Sequence, residues 1–282
     1  MKEKITVGII KGVARLPLSF LYLFADCITF ILYHVLKYRR KVVRENLVSS
    51  FPAKDIKEIK RIEKGFYRFL GDQVVETIKL FHISDGELQK RIDIHNTEIV
   101  NHTLSSGINA VVLMGHYGNW EWVQQVSKYF EAGAFKASIY HPLSNKLWDK
   151  IFLDLRSRWA NRMIEMAKAP RVLLNKSHQP WVCGFIADAY TWHKNENNRV
   201  EFLNHPTWFI YGSEEIGKKT GAEFFYLEMT RPKRGFYTIN LHKIEPTDMT
   251  QPYPYTREFW KLFEKTIEKT PQLWLWSHKR WK

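Results

Sequence analysis

Cysteine is nearly absent from this chain. Of 282 residues, only Cys27 and Cys183 carry a thiol. Cys27 stands in an apolar N-terminal run and Cys183 in an expected buried strand. Neither a disulfide nor a cysteine zinc site is expected, and a reducing compartment is the default. Several signatures of chemistry are missing too. There is no His-Glu-x-x-His, no Walker loop and no Gly-x-Gly-x-x-Gly after a strand. Zinc-protease, phosphate-loop and dinucleotide chemistry therefore have no support. No Gly-x-Ser-x-Gly elbow occurs and neither cysteine has a motif around it, so no covalent enzyme nucleophile is expected. Internal repeats and low-complexity segments are lacking. Acidic residues are short as well: 29 against 43 basic ones, for a formal charge of +14. That excess implies an anionic partner, whether nucleic acid, acidic lipid headgroups or an acidic carrier protein.

What is present is hydrophobic and aromatic. Hydrophobic residues make up 45% of the chain, ample for a core. The length fits one large α/β domain, although two would also be allowed. Aromatic content of 15%, with eleven tryptophans, favours a membrane interface, where amphipathic rings settle at headgroup level. The same mixture also suits single-stranded nucleic acid. Leu16 to Leu36 is mostly apolar and about long enough to cross a bilayer. Asp26 and His34 interrupt it, and no small-residue cleavage site follows, so a secretory signal is not expected. A single span and a tilted or interfacial helix both remain open; a soluble helix pair is the third alternative. Lys37, Arg39, Arg40, Lys41 and Arg44 follow at once, a cluster that marks the cytoplasmic side of a membrane.

The central stretch is Ala110-Val-Val-Leu-Met-Gly-His-Tyr-Gly-Asn-Trp-Glu-Trp122. Its first five residues predict a buried strand. Gly115 breaks the run, Gly118 allows a tight loop, Asn119 is a good N-cap, and 120–130 reads as helical. His116 falls in the loop and Glu121 in the first helical turn, so a strand-loop-helix bend lets them converge. An imidazole can take a proton from a hydroxyl while a carboxylate orients the ring. A loop histidine near a helix-capping glutamate is the bland alternative. Backbone N–H groups around Gly118, or an arginine, are the expected oxyanion donors.

Elsewhere, spacing predicts an amphipathic helix within 54–83 and a strand at 137–140 that ends at His141-Pro142. A helix over 147–159 carries Arg156 and Arg158 near its end. A strand at 181–187 has Asp188 at its C-terminal end, where ligands gather in open α/β sheets. A helix over 214–220 is closed by Gly221. Strands at 224–229 and 237–241 flank a basic tip of Arg231, Lys233 and Arg234, and a late helix covers 257–269.

His-Tyr-Gly-Asn-Trp-Glu at 116–121 resembles the His-x4-Asp/Glu motif of the lysophospholipid acyltransferase superfamily, and most closely the lipid A biosynthesis (late) acyltransferase family. Three more blocks agree, in family order, from about residue 40 to the end. Arg44-Glu-Asn-Leu47 with Phe51-Pro52 is similar to the family's Asn-Leu…Phe-Pro block. Phe185-Ile-Ala-Asp188 is similar to its strand ending in aspartate. Trp274-Leu-Trp-Ser-His-Lys-Arg-Trp-Lys282 is similar to its closing Trp-x-His-Arg-Arg-Phe-Lys. The chain departs where the family has Arg-Pro (here His141-Pro142), Asp-Gln (here Asp188-Ala189) and Phe-Phe-Gly (here Phe202-Leu-Asn204).

The resemblance implies an α/β fold with a mixed central sheet flanked by helices. It implies a membrane-associated N-terminal segment (1–44) and a catalytic domain (45–282). The expected activity moves a fatty acyl group from an acyl carrier protein or CoA thioester to a hydroxyl of a lipid A precursor. His116 is the expected base and Glu121 its orienting partner. Gly118, Asn119, His141, Arg156, Arg158 and Asp188 are the expected substrate contacts, the two arginines for phosphate. No metal and no cofactor beyond the acyl donor is expected. Expected partners are the acyl carrier protein, an anionic glycolipid or phospholipid, and the membrane, but not nucleic acid. The expected location is the cytoplasmic face of a bacterial inner membrane. Acylation of another lipid, or a non-catalytic basic binding module, are the alternatives.

Overall fold

Apolar, β-branched runs lie at the centre of the fold, and amphipathic helices cover them. A computed structural model describes residues 2–159, 161–175 and 180–281. In chain order the elements are α1 (Lys2–Ala14), α2 (Leu18–Phe30), α3 (Arg40–Ser50), α4 (Ile56–Lys79), α5 (Asp85–Gln89), β1 (Ile92–His95), α6 (Thr97–Ser105) and β2 (Ala110–Met114). There follow β3 (Phe135–Tyr140), α7 (Lys146–Arg156), β4 (Arg162–Glu165), α8 (Ala169–Leu173), β5 (Trp181–Ile186), β6 (Arg199–Phe202) and β7 (His205–Trp208). The chain closes with α9 (Gly212–Thr220), β8 (Glu223–Lys233), β9 (Phe236–Lys243) and α10 (Pro254–Lys269).

Seven strands form one sheet in the order β1-β9-β8-β2-β5-β3-β4. β8, β2, β5, β3 and β4 are mutually parallel. β9 runs antiparallel to β8, and β1 pairs parallel with β9, so the sheet is mixed as expected. β6 and β7 form a separate hairpin whose turn residues, Leu203 and Asn204, both have positive φ, as a tight two-residue turn requires.

All five residues of β2 are buried because the strand is covered on both faces. Val111 and Leu113 enter a core with Phe66 of α4 and Phe259 and Phe263 of α10. Ala110, Val112 and Met114 face the opposite core, with Leu21 of α2 and with Trp122. Met114 is level with Ile186 in the β2–β5 register, and the Ala187 N–H donates to the Met114 carbonyl at 2.8 Å. The residues that follow these two strands therefore leave the sheet side by side.

Three local expectations are corrected. The segment after the central loop is a 3-10 helix, Trp122–Tyr129, and Trp122 to Ser127 are all buried. Tight winding aligns residues three apart, which sets Val123 and Val126 together against the core. Asn119 still caps it, accepting from the Trp122 N–H at 3.0 Å. Two strands escape the sequence pattern, β1 and β4. Both are four-residue edge strands that carry charge (Asp93, Arg162, Glu165), and edge charge masks the alternation.

The N-terminal apolar run forms α2, continued by a π turn at Ile31–Val35; together they are long and apolar enough to cross a membrane. One face, however, packs along α4. Leu18, Leu21 and Ala25 are buried, and Tyr22 donates to Glu76 at 2.7 Å. Asp26, the odd residue in the run, pairs with Arg234 of the β8–β9 tip at 2.6 Å. The opposite face leaves Phe20, Leu23, Phe24, Phe30 and Ile31 exposed. The basic cluster is partly consumed by the fold. Arg40 and Arg44 pair with the fully buried Glu63, and Arg39 donates to the Ser277 carbonyl at 3.0 Å. Lys37 and Lys41 remain turned outward.

α2 and α4 are in close contact at Gly71, where a Cβ would strike Thr29 Oγ1 and stand 2.6 Å from the Ala25 carbonyl. Gly71→Val should therefore push α2 off α4 and cost about 1–3 kcal/mol. A fall in the thermal midpoint of the detergent-solubilised protein would report it; an unchanged midpoint would show slack in the crossing.

Candidate active site

Because β2 and β5 run parallel in that register, His116 and Asp188 emerge at the same level beyond their C-terminal ends. His116 Nδ1 lies 2.7 Å from Asp188 Oδ1. The other carboxylate oxygen accepts the Trp274 indole N–H at 2.9 Å. Asn46 reaches the same place from α3, donating to the Trp276 and His278 carbonyls at 2.9 and 3.0 Å. Asn46, His116, Asp188, Trp274, His278 and Arg280 all line one cavity of about 260 Å³. Residues from all four sequence blocks thus meet around one space.

The loop carrying His116 is held on both sides. Tyr117 donates its hydroxyl to the Thr266 and Thr270 carbonyls at 3.2 and 3.0 Å. The Gly118 N–H donates to the Leu273 carbonyl at 3.0 Å, and the Asn119 N–H to Met229 Sδ at 3.0 Å. Gly118 has φ +62°, and a Cβ there would lie 2.6 Å from Met229 Sδ. Asn119 is fully buried and donates from Nδ2 to Glu76 at 2.6 Å. Gly118 and Asn119 therefore shape the loop, and neither lines the cavity. Their N–H groups are already engaged, which removes them as the expected oxyanion donors.

Four other expectations are redrawn. Glu121 makes no hydrogen bond to His116; Asp188 occupies the orienting position. Glu121 is instead clasped by Arg156, Nε to Oε2 at 2.9 Å and Nη2 to Oε1 at 2.6 Å. This fork-to-fork pair engages Nε and Nη2 of Arg156. Arg158 is spent on the Leu80 and Ile83 carbonyls and on Asp85, holding the α4–α5 turn. His141 is exposed, lies 3.0 Å from the Pro142 carbonyl and does not line the cavity. Trp274 and Trp276 of the closing segment are buried in the core.

Electrostatics favour an ionised Asp188 facing an imidazole. Burial pushes the Asp188 carboxyl up, but the His116 and Arg280 charges and the His116 and Trp274 hydrogen bonds more than offset it. The net position is well below the usual carboxylate range. Burial is likewise the largest influence on His116 and pulls it down. Asp188, by charge and hydrogen bond and with the nearby Glu121 charge, outweighs it, so the net shift is upward. With Nδ1–H directed at Asp188, Nε2 keeps its lone pair for a proton. Arg280, its side chain buried, is drawn down to about 10 by burial, against the pull of Asp188.

The pH dependence follows in sign. His116 accepts a proton only when neutral, so activity falls as pH drops through its folded pKa. Asp188 raises that value above the ordinary 6.5, placing the acid limb of kcat/KM higher. In Asp188→Asn the charge is gone and burial remains, so the limb should move to lower pH while kcat falls. A limb that stays in place would remove Asp188 as the partner of His116.

Comparison with known proteins gives the same answer. The profile of bacterial lipid A biosynthesis acyltransferases matches residues 3–282. The chain is 23% identical over 253 residues to the lipid A biosynthesis palmitoleoyltransferase of Escherichia coli (strain K12). It is equally similar to the lipid A biosynthesis acyltransferase of Shigella flexneri. Each match covers 88% of this chain and 80% of the relative. With the match spanning nearly every residue and four family blocks closing on one cavity, the chain belongs to the bacterial lipid A biosynthesis acyltransferase family.

Proposed function

We propose that this acyltransferase moves a fatty acyl group from an acyl carrier protein thioester to a hydroxyl of a lipid A precursor at the cytoplasmic face of the inner membrane. The observation that carries the reading is the His116–Asp188 pair at the mouth of the shared cavity. His116 Nε2 takes the proton of the acceptor hydroxyl as its oxygen attacks the thioester carbonyl. Collapse of the tetrahedral species expels the thiolate, which recovers that proton from His116. Asp188 holds the ring in the tautomer that leaves Nε2 free and steadies the imidazolium formed on the way. No enzyme nucleophile and no metal enters the scheme. An acidic carrier protein and an anionic glycolipid both suit a chain of charge +14. CoA thioesters share the reacting group and are anionic as well, so a donor comparison distinguishes the two. The exposed apolar face of α2 and the outward Lys37 and Lys41 support attachment to an anionic membrane surface.

General-base catalysis contributes on the order of 10²–10⁴ in rate. His116→Ala should therefore lose at least about 100-fold in turnover while folding normally, because His116 is only half-buried. Thioester consumption with carrier-bound and CoA-bound acyl donors, in the presence of the glycolipid, measures this directly. A folded His116→Ala protein that turns over near the wild-type rate would rule out the mechanism. A donor preference for CoA would rule out the carrier as the specific partner.

A further inference from the structure

The arginines that the family resemblance offered for phosphate have acidic or carbonyl partners, so cations without an ion pair are informative. Beyond the His116 cavity lies a second one of about 340 Å³, lined by Tyr190, Lys194, His205, Trp208, Arg280 and Trp281 and, among the described residues, by no aspartate or glutamate. Arg280 lines both cavities. Tyr190 stands two residues after Asp188, so the strand end that delivers the orienting carboxylate continues directly into the second cavity. That volume is in the usual range for a ligand site.

Two cations meet there. Lys194 is exposed and makes no ion pair among the described residues. Its Nζ instead lies 4.7 Å from the ring centre of Trp208 and 5.3 Å from that of Tyr190. Arg280 is only 5% exposed. Its guanidinium carbon stands 5.1 Å from the ring centre of Trp260 and 5.7 Å from that of Trp274, and Nη1 meets no acceptor among the described residues. Asp188, whose charge it feels, has its two oxygens engaged by His116 and Trp274. A buried guanidinium with an unmet donor is costly unless something supplies the acceptor. Aromatic walls exclude water and strengthen any charge interaction made between them. His205 stacks on Trp281 at 4.0 Å, and the Trp281 indole N–H is tied to Thr207 Oγ1 at 2.8 Å, so this wall is preset.

We propose that the second cavity is a phosphate subsite, in which Lys194 and Arg280 bind a phosphate group of one substrate while its reacting end lies at His116. The proposal rests on the acyl-transfer reading of the neighbouring cavity. Phosphate fits better than carboxylate because it offers several charged oxygens to two cations at once. Two sources share this chemistry: the phosphodiester of the donor's pantetheine arm, and a phosphate on the acceptor glycolipid.

Lys194→Gln is the primary variant, since an exposed side chain can be replaced without disturbing the core; Arg280→Lys, which keeps the charge and loses the fork, is the second. Each is assayed with acyl-phosphopantetheine against acyl-pantetheine, and with the glycolipid acceptor against its dephosphorylated form. Lys194→Gln should raise KM for one phosphate-bearing substrate about ten-fold, as loss of a hydrogen bond to a charged group does. Variant and wild type should converge on the analogue that lacks the phosphate. Whichever arm responds names the source. Equal effects on both members of each pair, or none, would overturn the subsite while leaving acyl transfer intact. A wild-type protein inert with every donor would instead overturn the acyl-transfer reading. Inorganic pyrophosphate would then decide the subsite without turnover: a rise in thermal midpoint lost in Lys194→Gln supports it, and no rise overturns it.

Discussion

A single buried carboxylate, Glu76 on α4, ties together the parts on which the active site depends. It accepts the Tyr22 hydroxyl from α2 at 2.7 Å, the Asn119 amide from the central loop at 2.6 Å and the Tyr237 hydroxyl from β9 at 2.6 Å. Arg231 of β8 stands 3.6 Å away, and the Glu76 carbonyl accepts the Trp122 indole N–H at 3.0 Å. Burial pushes the Glu76 carboxyl up, while Arg231 and the hydroxyl donors pull against it. Such a group is tolerable only when its lone pairs are filled in good geometry. Here each partner comes from a different element, so filling them places the apolar helix, the loop and the sheet relative to one another.

That arrangement explains why so few residues of the central motif face the cavity. Tyr117, Gly118 and Asn119 each anchor the loop, to α10, to the terminal segment and to Glu76 in turn, and Trp122 packs beneath it. His116 is left partly exposed, with its ring set by Asp188 and by Trp120 at 5.6 Å. A catalytic group held by engaged neighbours needs little reorganisation when charge develops on it. The closing segment takes part in this: Trp274 fills the second oxygen of Asp188, and Leu273 takes the Gly118 N–H. The C-terminal signature is thus part of the active-site wall.

Local pattern carried the strand at 110–114, the turn at Gly115 to Gly118, the Asn119 cap and the Gly221 helix end, because each depends on residues adjacent in sequence. It misassigned the partner of His116. Glu121 is five residues away and Asp188 is seventy-two, and only the parallel register of β2 and β5 makes the distant one adjacent. The readable hint was that Asp188, too, ends a strand. Arg156 and Arg158 were placed at a helix end correctly, but their acceptors lie on other elements, so spacing could not show that they were occupied. The basic cluster after residue 36 is partly engaged in the same way: Glu63 and the Ser277 carbonyl absorb three of its five cations. Charge counts in sequence therefore overstate what is free to meet a ligand.

The same long-range contacts connect the apolar helix to the His116 cavity. α3 follows the apolar helix directly. At its start Arg39 grips the Ser277 carbonyl, and further along Asn46 grips the Trp276 and His278 carbonyls and lines the catalytic cavity. Seven residues separate them, about 10 Å of helix at 1.5 Å per residue. On the proposed reading, an amphiphilic acceptor needs just such a short step. Its chains remain against the apolar face that presents Phe20, Leu23 and Phe24, while its hydroxyl reaches His116 at headgroup depth. Because α2 is held to α4 at Gly71 and Tyr22 and to the β8–β9 tip at Asp26, on that reading the depth is set by the body of the enzyme and not by a loose tether. The apolar helix thus does more than raise the local concentration of enzyme at the bilayer. On the proposed reading it also fixes the height at which the cavity meets the lipid, and a rigid height lets a base on a short loop select one hydroxyl.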